Sequence, residues 1–164
     1  MLQIHSVRPH SADATHARTL FTHYGDFLKT IESAHSFDFP RFAEEIATLP
    51  APYTDRNGEL LLASLSQAPV ACIAFRHAAP EPLTTCEIKR LFVLPTHRGQ
   101  GIARALIAEA LTHAHARHYT RAILDTDLAS MPAAYATYLT LGFTEYAPPG
   151  THPPSLRFLE LELT

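Results

Sequence analysis

Nowhere in the 164 residues is there a run of about 18 apolar side chains, and without one no helix of this chain is expected to span a bilayer. The N-terminus, MLQIHSVRPH, lacks a basic stretch followed by an apolar core. Neither a signal peptide nor a lipid anchor is read there, and a cytoplasmic location without membrane attachment is the expectation. Surplus positive charge is missing too. Thirteen Lys and Arg against sixteen Asp and Glu leave a net charge of −3, too few cations for a general duplex-binding surface, so no nucleic-acid partner is expected. Cysteine is scarce: Cys72 and Cys86 lie in apolar stretches on either side of a short turn, where neighbouring strands could bring them close, and buried thiols are the reading in a reducing compartment. Histidine is plentiful, yet His113, His115 and His118 miss the i, i+4 spacing of a helical metal site, and a solvated helix end is expected instead.

What is present is a normal globular composition. With 46% hydrophobic residues in 18.1 kDa, intrinsic disorder is excluded and one domain spanning residues 1–164 is expected, as a monomer or homodimer. No repeat, low-complexity tract or linker divides the chain. Residues 2–7 read as a first strand. From Ser11, a plausible cap, a helical stripe runs through Ala14, Ala17, Leu20, Phe21, Tyr24, Phe27, Leu28 and Ile31, with Gly25 as a potential break. A second helix fits Phe39 to Leu49 and is stopped by Leu49-Pro50-Ala51-Pro52.

After Asn57-Gly58 the pattern changes to strands. Leu60 to Leu65 and Val70 to Phe75 form a hairpin about Ser66 to Pro69, and Cys86 to Leu94 adds a third strand. Period-two alternation predicts that Glu87, Lys89, Leu91 and Val93 share one face of that strand and Ile88, Arg90 and Phe92 the other. A helix through Ala103, Leu106, Ile107, Ala110, Leu111 and Ala114 follows, then a buried strand at 122–124 and a helix from Met131 to Leu141 ended by Gly142. Phe143 to Tyr146, a Pro-rich loop and an alternating strand from Leu156 to Leu163 complete the chain. The fold class is α/β (α+β), with a crossover βαβ unit in the middle.

The turn in that crossover carries chemistry. Gly99 and Gly101 let successive backbone N–H groups approach an anion, the free donors of the next helical turn add to them, and Arg98 supplies a full charge. A dinucleotide fingerprint would need glycine where Arg104 stands, and the Gly-Lys-Ser/Thr of a P-loop is absent. The segment Leu91-Phe92-Val93-Leu94-Pro95-Thr96-His97-Arg98-Gly99-Gln100-Gly101-Ile102-Ala103-Arg104 closely resembles the acetyl-CoA motif of the GCN5-related N-acetyltransferases, with Arg98, Gly101 and Ala103 at its Arg/Gln-x-x-Gly-x-Gly/Ala positions. Tyr138-x-x-x-Gly142-Phe143 matches a second motif of that family. Met131-Pro132 departs from it, where an asparagine is common.

The resemblance implies a mixed, mostly antiparallel sheet of about six to seven strands with helices on both faces. It also implies acetyl-CoA as co-substrate and direct attack on its thioester by an amine acceptor. On that basis Leu91, Phe92, Val93, Arg98, Gly99, Gln100, Gly101, Ile102, Ala103, Arg104, Met131 and Tyr138 are the cofactor-binding candidates. Tyr138 is the candidate acid for the leaving sulfur, with Tyr135 as the alternative. Asp125, directly after the buried run, and Glu87 compete as base. Asp125 could instead cap the next turn, and Glu87 could form an ion pair with Lys89, which is otherwise open to a substrate carboxylate. A small amine is the expected acceptor. A peptide or protein N-terminus and a non-catalytic acyl-CoA sensor are the alternatives.

Overall fold

The computed structural model describes residues 1–31 and 37–164. In chain order the elements are β1 (Leu2–Ser6), α1 (Ala12–Lys29), α2 (Phe39–Ala47), α3 (Ala51–Thr54), β2 (Glu59–Leu65), β3 (Ala68–His77), β4 (Thr85–Val93), α4 (Ile102–Ala116), β5 (Arg121–Asp127), α5 (Pro132–Thr140), β6 (Thr144–Glu145) and β7 (Leu156–Glu162). One sheet takes the order β1-β2-β3-β4-β5-β7-β6, and every pairing in it is antiparallel except β4 with β5. The expected mixed, mostly antiparallel sheet with helices on both faces is present. Among the described residues no helix is long and apolar enough to cross a membrane.

Helix α1 begins where Ser11 Oγ accepts the Ala14 N–H at 3.1 Å, and it buries Ala14, Ala17, Leu20, Phe21 and Leu28 on one stripe. Gly25 does not break it. A Cβ there would lie 3.2 Å from Phe42 Cε2, so the missing side chain lets α1 and α2 approach. Helix α2 is capped by Asp38, whose Oδ1 accepts the Arg41 N–H, and it ends two residues before Leu49. The prolines at 50 and 52 do more than stop it. Pro50 stands at the cap position of α3 and Pro52 in its single turn, where an N–H would be unpaired in any case.

The two faces of the sheet carry separate cores. One packs Leu61, Ile73, Phe75, Ile88, Leu106 and Ile107 under α4, and the other packs Leu20, Phe21, Phe42, Leu62 and Phe92 under α1 and α2. Cys86 belongs to the first and Cys72 to the second, so the thiols are separated by the sheet. Both are free, and burial pushes each to about 12.

The period-two expectation for β4 fails in the middle. Ala74 pairs with Lys89 and Cys72 with Phe92, so Arg90 and Leu91 together oppose Ile73. Arg90 takes φ 61°, the left-handed region, and forms a bulge. The face assignment shifts by one residue there. Glu87, Lys89, Arg90 and Phe92 look towards α1 and α2, while Cys86, Ile88, Leu91 and Val93 look towards α4. The strained arginine is held by Glu45 of α2, with Nε 2.9 Å from Oε2, and its guanidinium lies over the rings of Phe42 and Phe37.

His113 is not a free, solvated helix end. Its Nδ1 lies 2.6 Å from Glu59 Oε2 and its Nε2 3.1 Å from Glu109 Oε1, while Arg117 Nη2 donates to Glu59 Oε1 at 2.8 Å. Burial opposes the imidazolium, but the hydrogen bond and charge of Glu59, then of Glu109, hold its pKa above the ordinary value. A raised pKa means stabilisation that is full below the unfolded value of about 6.5 and lost as pH rises through the folded one. His113→Ala is therefore expected to destabilise the chain by about 1 kcal/mol or less at pH 6 and by a smaller amount at pH 9. Denaturant midpoints at both pH values check this, and an equal loss at each would refute the charged pairing.

Candidate functional site

The parallel pairing of β4 with β5 lasts for only Thr85↔Arg121, Cys86↔Ala122 and Glu87↔Ile123. Past the third pair the β4 bulge turns the strand away, and a cleft of about 420 Å³ opens between the two strands. Its walls include Lys89 and Leu91 of β4, Leu124 and Asp125 of β5, and Met131 and Tyr138 at the two ends of α5. The Leu94 N–H donates to Val70 O, which fixes the alternation of the strand's main chain. Phe92 therefore spends its N–H on β3, while Leu91 and Val93 present theirs to the open side.

At the far end of β4, a 3-10 turn over Pro95–His97 leads into Arg98-Gly99-Gln100-Gly101 and α4. Gly99 and Gly101 have φ of 74° and 78°, values that glycine adopts without steric cost. The first helical bond of α4 runs from the Ala105 N–H to Gly101 O, and Gly101 offers no side-chain cap. The N–H groups of Ile102, Ala103 and Arg104 thus precede the helix's own hydrogen bonding. A Cβ on either glycine would meet nothing within 4 Å, so the space before the turn is open. This is an anion cradle built from backbone, at the positive end of a helix dipole.

The side chains around it depart from expectation. Arg98 does not extend into the open space: its Nε donates to Val93 O at 3.0 Å and its guanidinium lies over Phe27 and Phe92. It ties the turn to the end of β4 rather than reaching outward. Ile102 is buried in the core, Ala103 packs against that core, and Gln100 is exposed. Arg104 Nη1 donates to Thr140 Oγ1 at 3.1 Å and links α4 to α5.

Asp125 and Tyr138 meet in the cleft. Asp125 opens to solvent at the mouth, but the surrounding protein raises its carboxyl pKa by desolvation, with Lys89 pulling the other way and Glu87 adding to the rise. It does not cap the next turn. Asp127 does so, with Oδ1 accepting the N–H groups of Ala129 and Ser130. Tyr138 packs edge-on against Phe143 with centroids 5.5 Å apart and also lines the cleft, so packing and exposure to the site coexist in one side chain. Burial raises its phenol pKa strongly, helped by Tyr24 and Asp125, and keeps the proton on.

The competing candidates are committed elsewhere. Arg76 Nε lies 2.8 Å from Glu87 Oε1, so the partner of Glu87 is Arg76 across the strands and not Lys89. Tyr135 Oη donates to Glu145 Oε1 at 2.6 Å on the exposed side of α5. Met131 stands at the cap position of α5, and its N–H donates to Asp127 O. The sequence places one hydroxyl-bearing residue of the cleft, Tyr24, on the apolar stripe of α1. Tyr24 of α1 packs on Phe42 and Phe92 and reaches the same cavity, and burial raises its pKa. Its signal was a lone hydroxyl on an otherwise apolar helical stripe. Beside the cleft lies a wider cavity of about 670 Å³, which shares Phe37, Glu87, Lys89 and Arg90 with it.

Comparison with known proteins gives a match of residues 25–143 to the acetyltransferase (GNAT) family. An uncharacterized N-acetyltransferase of Dictyostelium discoideum is 36% identical over 80 residues, which are 48% of this chain and 37% of that protein. The match thus spans little more than a third of that relative's length. Among solved structures, a Salmonella typhimurium protein determined with its cofactor acetyl-CoA superposes with a TM-score of 0.76 at 17% identity, over 99% of this chain and 94% of its own. The ribosomal-protein-S18-alanine N-acetyltransferase of Escherichia coli superposes with a TM-score of 0.70 at 19% identity, over 100% and 95%. At such identities the superpositions speak for the fold alone.

Proposed function

The chain belongs to the acetyltransferase (GNAT) family, and from that premise we propose that it transfers the acetyl group of acetyl-CoA to a primary amine by direct attack in a ternary complex. The acceptor in this reading is a small molecule. The observation that carries it is one strand junction with a backbone anion cradle at one end and a carboxylate and a buried phenol in the adjoining cleft. Acetyl-CoA, when bound, supplies an acetyl group activated as a thioester.

The N–H groups from Gly99 to Arg104 hold the diphosphate, with Gln100 at the rim and Arg98 keeping the turn in shape. Leu91 and Val93 direct N–H groups to the acyl arm and to the carbonyl oxygen where charge develops. Phe92 contributes by packing on the other face, and Met131 lines the arm's path. An alkyl ammonium with a pKa of about 10.4 is free amine in only roughly one molecule in 2,500 at pH 7, so a base must take its proton. Asp125 is that base, since Glu87 is neutralised by Arg76. Tyr138 gives its proton to the departing sulfur, and the proton that the attacking nitrogen sheds on becoming an amide restores the phenol.

A sensor that only binds acyl-CoA would have no use for this carboxylate and phenol. A peptide N-terminus stays as the second reading, favoured by the width of the adjoining cavity. Free CoA release measured over a panel of small amines and peptide N-termini tests the assignment. Turnover of small amines is expected, and transfer confined to peptides would defeat it.

The base is tested by a pair of variants. Activity must rise with pH as the base loses its proton, and the raised pKa of Asp125 puts that limb above the ordinary carboxylate value of about 3.9. Asp125→Asn is expected to remove the acidic limb of the kcat/KM profile, and Glu87→Gln to leave it in place. A limb that survives in Asp125→Asn and vanishes in Glu87→Gln would reverse the assignment.

A further inference from the structure

Several cations line the two cavities: Arg41 stands exposed at the wider one, and three others have partners. Arg76 is paired with Glu87, and Arg90 lies bidentate on Glu45 between two aromatic rings. Arg56 donates through Nη2 to His77 O. Lys89 is different. It is half-buried and lines both cavities, yet among the described residues its ammonium has no hydrogen bond and no ion pair. The bulge at Arg90 makes this arrangement. By turning Arg90 onto the face of Lys89 and into the grip of Glu45, it removes the competing arginine and leaves the lysine between the chambers.

A half-buried charge without a partner is costly, and an anion brought by a ligand relieves that cost. We infer that Lys89 binds a carboxylate of the acceptor, so that the amine acetylated by this chain carries a carboxylate in the same small molecule, as an amino acid does. This rests on the acetyl-transfer reading and gives it a substrate class. The charges are matched end to end: the acceptor's ammonium faces Asp125, its carboxylate faces Lys89, and both groups line one cleft. A phosphate suits the place less well, because one ammonium with Glu87 and Asp125 nearby balances one negative charge and not two. Burial lowers the pKa of Lys89 against the pull of those two carboxylates, as expected for a cation short of a counterion.

The test compares amino acids with their carboxamides, which keep the amine and lose the negative charge. With the wild-type chain, kcat/KM for the acid is expected to exceed that for the amide by about tenfold or more. Lys89→Met should collapse this ratio towards one, chiefly through KM, and Lys89→Arg should restore part of it. Calorimetry on the CoA complex gives a readout that needs no turnover. The N-acetylated acid should bind more tightly than its amide, and Lys89→Met should abolish the difference. A ratio near one in the wild type, or one that survives Lys89→Met, overturns the carboxylate subsite while leaving acetyl transfer standing. Acid-selective, Lys89-dependent binding with no turnover of any amine would uphold the subsite and overturn the transfer reaction.

Discussion

Tyr138→Phe is expected to lower kcat by about 100-fold or more while leaving the affinity for acetyl-CoA nearly intact. The change removes one oxygen and keeps the ring, so the edge-on packing against Phe143 and the burial at the end of α5 are preserved. What is lost is a proton donor whose pKa burial has raised, which keeps it protonated across the working range of pH. A donor that acts as the sulfur acquires charge contributes in the transition state and little in the ground state, hence the split between kcat and affinity. Steady-state kinetics with calorimetric titration of acetyl-CoA measures both. A kcat within twofold of wild type would sink the assignment. Tyr135 is a poor substitute, because its hydroxyl is held by Glu145 on the outer side of the helix.

The second large effect concerns the cradle. Gly101→Val should weaken CoA binding by at least about tenfold, or 1.4 kcal/mol. Gly101 stands at φ 78°, where a β-branched residue is strained, and a side chain there would project into the open space that the turn's N–H groups face. Strain alone would appear as lost stability. The decisive comparison is therefore the dissociation constant of a variant whose circular dichroism and thermal midpoint show it folded at the assay temperature. Unchanged affinity in such a variant would place the diphosphate elsewhere.

Hydrophobic period exposed most of the elements to view before the structure did. The stripe from Ala14 to Leu28 and the helix from Ile102 were legible because each buries one continuous face, and β2 and β3 because burial on both faces makes them unbroken apolar runs. The bulge in β4 was not. A period-two pattern has no mark for one extra residue, and Arg90 lacks the glycine that often announces a left-handed position. The same holds for the β2–β3 turn, where Ser66 and Gln67 both take positive φ and close the hairpin in two residues instead of four. Of the candidate site, the glycines and the Tyr138 motif were readable as residue types. Their partners were not, because choices such as Glu87 with Arg76, Arg98 with Val93 O and Arg90 with Glu45 depend on distances set by the folded chain. Among the described residues, Lys89 is the cation of the cleft with no hydrogen bond or ion pair, and that shows only once the partners of its neighbours are known.

The short run of three pairs between β4 and β5 has a mechanical meaning. Stiffness across a sheet comes from an unbroken ladder of hydrogen bonds, and here the ladder stops partway along the strand. One leaf, β1 to β4, is braced by α1, α2 and α4, and the other, β5 to β7, carries α5. The cleft is the mouth of a wedge whose apex is the last shared pair, Glu87 and Ile123. A molecule lodged in it touches both leaves and bridges them where the ladder has stopped.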